Sequence, residues 1–222
     1  MADKDTMLVS KAHYLTAGIH IGMKSCTPYM KQFVYKVRED GLAVFNLQLV
    51  DQRIALVASF LAGFQKPLIV SRKEAAAQAI TAFTKAIGGK SIVGRFAPGT
   101  LTNPSFKDFY EPDVVIVVDP LTDEQAVKEA VKKRVPLVSL VDTFNVVRGL
   151  DLVIPANNNG KRSIALIFWV LAREILKKRG TIKKDDEFAF TIQDFGGDDV
   201  KEAASDDEII KELEKQEEEV AA

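Results

Sequence analysis

Cysteine is nearly missing from this chain: Cys26 is the only one in 222 residues. That excludes an internal disulfide and a cysteine-based zinc cluster. Histidine is almost as scarce. His13 and His20 stand seven positions apart, Cys26 could add at most a third ligand, and no nearby carboxylate completes a tetrahedral set. No metal site is expected. Long apolar runs are missing too. The longest, Ile164 to Ala172, has nine residues, against about 20 for a membrane span. The N-terminus shows no basic flank leading into an apolar stretch, so a secretory leader is not expected and a cytoplasmic protein is. Glycine-rich turns between a strand and a helix are absent as well. Gly88 and Gly89 precede a strand, and the "GKS" of Gly89–Ser91 enters that strand rather than a helix, so nothing here cradles a pyrophosphate. The "GxSxG" elbow of a serine hydrolase is also lacking. These absences argue against a cofactor, a small-molecule substrate and catalytic residues.

Charge is plentiful but unevenly placed. Residues 1–184 carry 27 Lys and Arg against 16 Asp and Glu, net +11, whereas residues 185–222 carry 3 against 15, net −12. A basic body with an acidic tail suits an anionic partner, because such fields govern association rather than fold. We therefore expect a single α/β domain over 1–184, followed by a flexible or weakly helical tail over 185–222.

The body reads as strand–helix alternation. "LVSKAHYLTAG" predicts a short first helix with Leu8, Ala12 and Leu15 on one face. Two alternating runs around Asp40–Gly41 predict a β-hairpin. Leu47, Val50, Ile54, Val57 and Leu61 fall at helical spacing. Four runs follow, "PLIVS", "KSIVG", "PDVVIVVD" and "VPLVSL", starting near residues 67, 90, 112 and 135. That spacing accommodates a strand, a turn and a crossover helix. Their apolar character on both sides predicts a parallel sheet covered on both faces. "SRKE" at Ser71 and "TDEQ" at Thr122 read as capping boxes. A shorter strand "LVI" and the asparagine turn "ANNNG" lead into the helix "IALIFWVLAREILKKR". The expected fold is doubly wound α/β, a mainly parallel sheet of about five strands with helices on both faces, plus the hairpin and the acidic tail.

Loops that follow parallel strands carry function in such folds. Asp119 and Asp142 end neighbouring strands; they could act as acid and base, or cap the turns that follow. The stronger signal is cationic. Arg72, Lys73, Arg95, Lys107, Arg148, Lys161 and Arg162 lie in loops, with Phe96, Phe106, Phe109 and Tyr110 among or beside them. Lys177, Lys178, Arg179, Lys183 and Lys184 form a second cluster, five basic residues within eight and more than a helix dipole needs. Lys and Arg neutralise phosphates. In "RFAPGTLTN", Arg95 adds a forked donor, and Thr100, Thr102 and Asn103 add short polar groups. This loop is expected to face RNA or protein; the alternative is a loop that satisfies its own amides.

"FVYKVREDGLAVFNL", "GRFAPGTLTNP", "PDVVIVVDP", "VPLVSLVDT" and "DLVIPANNNGKRSIALIFWVLAREILKKRGTI" together resemble the small ribosomal subunit protein S2 family, in its archaeal and eukaryotic branch. The resemblance runs from about His13 to Ile182 and excludes the tail. It implies a flavodoxin-like sheet and a structural role near the junction of head and body of the small subunit. It also implies contacts to small-subunit rRNA and neighbouring ribosomal proteins, without catalysis or cofactor. The bacterial branch carries a long helical hairpin where this chain has only Pro104 to Glu111. The competing reading is a flavodoxin-like metabolic enzyme that binds a nucleotide or phosphorylated substrate at the strand ends.

Overall fold

The structure is a computed structural model that describes residues 7–197. β-branched runs supply the sheet: β3 (Pro67–Ser71), β4 (Lys90–Val93), β5 (Val114–Val117), β6 (Leu137–Val141) and β7 (Leu152–Pro155). All pair in parallel, in the order β4-β3-β5-β6-β7. Counted within this sheet alone the order is 2-1-3-4-5, the flavodoxin-like winding, and its direction reverses between β3 and β5.

Alternation along each strand sorts the core into two layers. Ile69, Val114, Ile116, Val138 and Leu140 face α2 (Leu47–Leu61), α3 (Glu74–Ile87) and α5 (Lys161–Lys178), where Phe83 and Phe168 meet edge to face. Leu68, Val70, Val115, Val117 and Leu137 face α4 (Glu124–Lys133). Right-handed crossovers account for the sides taken: α3 returns toward one edge and α4 toward the other. The helical spacing read in α2 holds, since Leu47, Val50, Ile54, Val57 and Leu61 are all buried. The first helix, α1 (Lys11–Thr16), buries Ala12 and Tyr14 and leaves Leu15 half-buried. The hairpin forms as β1 (Val34–Val37) against β2 (Ala43–Phe45), and Gly41 takes the left-handed φ of +83° that its turn requires.

Three expectations change. No helix links β4 to β5. Instead the loop of residues 94–113 crosses the α4 face and buries Phe96 and Leu101 there. Neither capping box forms. Ser71 is the last residue of β3, and the Thr122 hydroxyl donates to Asp119 at 2.8 Å.

The boundary expected after residue 184 falls at the start of a strap that packs on the domain. Residues 185–197 run antiparallel to α5. Asp185 pairs with Arg173 at 3.1 Å and also with Lys177, near the C-terminus of α5. The Trp169 indole donates to the Phe190 carbonyl at mid-helix (2.9 Å), and Gly197 lies against Ala165 in the first turns. Phe195 is fully buried, and Phe188, Phe190 and Ile192 pack on the same core. The rest of the expected tail, residues 198–222, lies outside the described residues.

Candidate nucleic-acid interface

In this winding, ligands bind in the crevice outside the strand ends, where the order reverses. Here that point lies beyond β3 and β5, and the chain fills it with its own side chains. The Lys73 ammonium lies 2.8 Å from the Asp119 carboxylate. It also donates to the Asn158 carbonyl at 3.0 Å and to the side-chain oxygens of Asn159 at 2.7 Å and Asn158 at 3.2 Å. Asn145 donates to Asp119 at 3.1 Å, and its own Oδ1 accepts from the Asp142 amide and from Asn158. Asn157 closes the "NNNG" turn by accepting from the amides of Asn159 and Gly160. Residues 22–27 cover the end of β6: Met23 and Thr143 exchange hydrogen bonds, and a Cβ on Gly22 would stand 2.6 Å from the Thr143 methyl.

Burial alone would raise Asp119, but the hydrogen bonds from Lys73 and Thr122 and the charge of Lys73 outweigh it, so its carboxyl sits below the usual range. Asp123 behaves oppositely. Burial, reinforced by the neighbouring Asp119 charge, pushes it to about 6. One of its oxygens accepts the Arg72 amide at 3.0 Å; the other is buried without a hydrogen-bond partner among the described residues. Asp142 is raised by burial as well. Both strand-end aspartates make the turn-capping bonds expected of them: Asp119 accepts from Leu121 N, and Asp142 from Thr143 N.

The loop "RFAPGTLTN" is organised by a residue that sequence reading overlooked. Glu129 of α4, 2% exposed, accepts from Gly99 N at 2.8 Å, Leu101 N at 3.1 Å and the Thr102 hydroxyl at 3.2 Å. Burial would raise its carboxyl, yet these bonds together with one from Gln125 hold it below the usual value. Thr100 is corrected as a contact residue: it is 2% exposed and its hydroxyl donates to the Ala97 carbonyl. Asn103 is exposed but accepts from Ser105 N. Arg95 alone leaves the loop as an exposed cation with no hydrogen bond or ion pair among the described residues.

The candidate cations divide between two edges of the sheet. Arg72, Arg95, Lys161 and Arg162 are exposed along the rim formed by the strand C-termini. Lys73 belongs to that rim by position, but its ammonium is held inward. The other candidates lie toward the opposite edge. Arg148 precedes β7 and is followed by Gly149, where a Cβ would stand 3.2 Å from Val131 near the end of α4. Lys107 falls between Phe106 and Phe109, and Lys133 lies over the Phe109 ring. At the end of α5, Arg179 is a structural clasp: it donates to the carbonyls of Phe64 (2.6 Å), Ile87 (2.8 Å) and Ala62 (3.4 Å). Lys177 is engaged by Glu174 and Asp185. Lys178, Lys183 and Lys184 remain exposed there. The loop cations read from sequence as one edge are thus divided, with Lys107 and Arg148 on the same edge as the second cluster, and Lys73, Thr100, Lys177 and Arg179 have internal partners.

A further surface lies on the hairpin, where Tyr35 and Val37 stand on one side of β1 and are 71% and 64% exposed.

Comparison with known proteins agrees with this architecture. The model of the family described as Ribosomal protein S2 matches residues 14–107 and 105–178. The chain is 45% identical to the small ribosomal subunit protein uS2 of Staphylothermus marinus over 82% of its length and 83% of that protein. It is 44% identical to the protein of that name from Thermoplasma acidophilum, over 86% and 97%. Against the Saccharolobus solfataricus protein the identity is 42%, over 85% and 83%.

Proposed function

Because the chain belongs to the ribosomal protein S2 family, we propose that it is a structural constituent of the small ribosomal subunit and that Arg72, Arg95 and Lys161 meet rRNA phosphates there. The family is structural, not enzymatic. The supporting observation is the contrast at the C-terminal rim. Its crevice is occupied by the Lys73–Asp119 network, while the cations around it point outward. An open row of guanidinium and ammonium groups suits a phosphate backbone, which lies along a surface; a nucleotide or phosphorylated metabolite needs a concavity. Arg162, Lys107, Arg148, Lys178, Lys183 and Lys184 extend the basic surface to both edges. The reading takes in neighbouring ribosomal proteins, for which the exposed Tyr35 and Val37 of the hairpin are suited. It also takes in a cytoplasmic location near the head–body junction of the subunit.

The test is a triple variant, Arg72→Ala, Arg95→Ala and Lys161→Ala, followed through sucrose gradients. The variant should melt within about 2 °C of the parent, since exposed charges contribute little to stability. It should also fail to co-sediment with small subunits. Its affinity for an rRNA fragment should fall less steeply with salt, by about 0.7–0.9 in log–log slope for each phosphate that is no longer neutralised. Normal assembly of the variant would refute the assignment of the rim.

A further inference from the structure

The rim has a second candidate occupant in the chain itself. The strap of residues 185–197 starts beside Arg173 and Lys177 near the C-terminus of α5 and ends at its first turns. A Cβ on Gly196 would stand 3.0 Å from the Lys161 side chain and 2.8 Å from Gln78 of α3. The chain therefore leaves the described body beside a rim cation. The 25 residues that follow, 198–222, hold 11 Asp and Glu against 3 Lys, net −8. Extended, they reach about 80 Å, far more than the rim requires. Arg72, Arg95 and Lys161 make no side-chain hydrogen bond or ion pair among the described residues. At the opposite edge the most sequestered cations already have partners: Lys177 has Glu174 and Asp185, and Arg179 has its three carbonyls. To reach that edge the tail would have to double back along α5, an 18-residue helix about 27 Å long, and effective concentration falls with that distance. Asp185 shows that carboxylates of this same acidic segment pair with basic groups of the body.

We propose that residues 198–222 dock across Arg72, Arg95 and Lys161 and screen the rim from non-cognate RNA. This is a regulation of the same surface and rests on the RNA reading above. The tail offers carboxylates where RNA offers phosphates. Every RNA that uses these cations bears the same cost of displacing the tail, so the ratio of affinities is unchanged. Weak, non-specific RNA then falls below the affinity needed for occupancy at working concentrations, whereas an rRNA site with shape-matched contacts stays filled.

The full-length chain tests both parts. Zero-length carbodiimide coupling should join the Lys161 amine to carboxylates within 198–222. The yield should be independent of protein concentration, well above that at Lys66 and Lys178 of the opposite edge, and suppressed by an oligouridylate. In a second full-length form, Asp198, Asp199, Asp206 and Asp207 are changed to Asn, and Glu202 and Glu208 to Gln. This form should bind the oligouridylate roughly tenfold more tightly at about 50 mM salt and less than about twofold more tightly at about 300 mM, as screening removes the competition. Missing Lys161 links, links spread evenly over the lysines, or unchanged oligouridylate affinity in the neutralised form would each overturn the proposal. If neither form binds the oligouridylate, the RNA reading fails, and the cross-links alone decide whether the tail docks.

Discussion

Lys73 and Asp119 form an ion pair of 2.8 Å at the point where the sheet order reverses, with side chains 18% and 3% exposed. Removing the cation leaves a buried carboxylate without its main counter-charge. Lys73→Ala should therefore lower unfolding stability by about 3–5 kcal/mol. Adding Asp119→Asn should recover part of that loss. Urea denaturation checks both, and a loss under about 1 kcal/mol for the single variant would mean the network is not the keystone of this edge.

Arg179 stood among the candidate RNA-binding residues, but its guanidinium joins the chain ends of α2 and α3 to α5. Charged donors to carbonyls contribute about 1.5–3 kcal/mol each when buried and less when partly solvated. Arg179→Ala should cost about 2–4 kcal/mol in total by the same reasoning. The folded fraction should bind rRNA with unchanged affinity and salt slope. A stable variant with weakened RNA binding would return Arg179 to the interface.

Asp123 sets a pH dependence. Its folded pKa of about 6 lies above the ordinary carboxyl value, so between about pH 4 and pH 6 the folded state holds a proton that the unfolded chain has released. This residue therefore makes the protein less stable as pH rises through that window. Asp123→Asn keeps an oxygen for the Arg72 amide and removes the charge beside Asp119. It should stabilise the protein by about 1–2 kcal/mol at pH 7.5 and by almost nothing at pH 4. Chemical denaturation of both forms across this range tests it; an equal difference at all pH values would refute the assignment.

What could be read from sequence followed local rules. The β-branched runs became the strands, Asp40–Gly41 turned the hairpin, and the spacing in α2 put five apolar residues into the core. What escaped reading depends on partners distant in sequence. Glu129 lies 30 positions from Gly99, and Arg179 lies 92 or more from its three acceptors. No periodicity encodes such pairs. The strap was hidden by its own composition: acidic residues dominate after Asp185, yet Phe188, Phe190, Ile192 and Phe195 are enough to seat it. The capping boxes failed because a strand claimed Ser71 and an aspartate claimed the Thr122 hydroxyl. The cations were easy to find by type, but sorting outward from inward ones needed the fold.

Arg173 of α5 donates to the carbonyl of Leu8 at 2.6 Å, a bond that spans 165 positions, while Asp51 accepts from Leu8 N and from the Tyr14 hydroxyl. The two ends of the domain are therefore completed together. Synthesis delivers Leu8 and Tyr14 early, but their cover arrives only with α5 and the strap. Until then the α2 and α3 face of the sheet waits without Phe168, Leu171 and Phe195. Long-range closure of this kind slows folding, and an unfinished apolar face on a nascent chain invites aggregation. For this chain the vulnerable interval lasts until the strap has been made, so premature termination before about residue 195 should yield chains that chaperones hold rather than a truncated domain that folds.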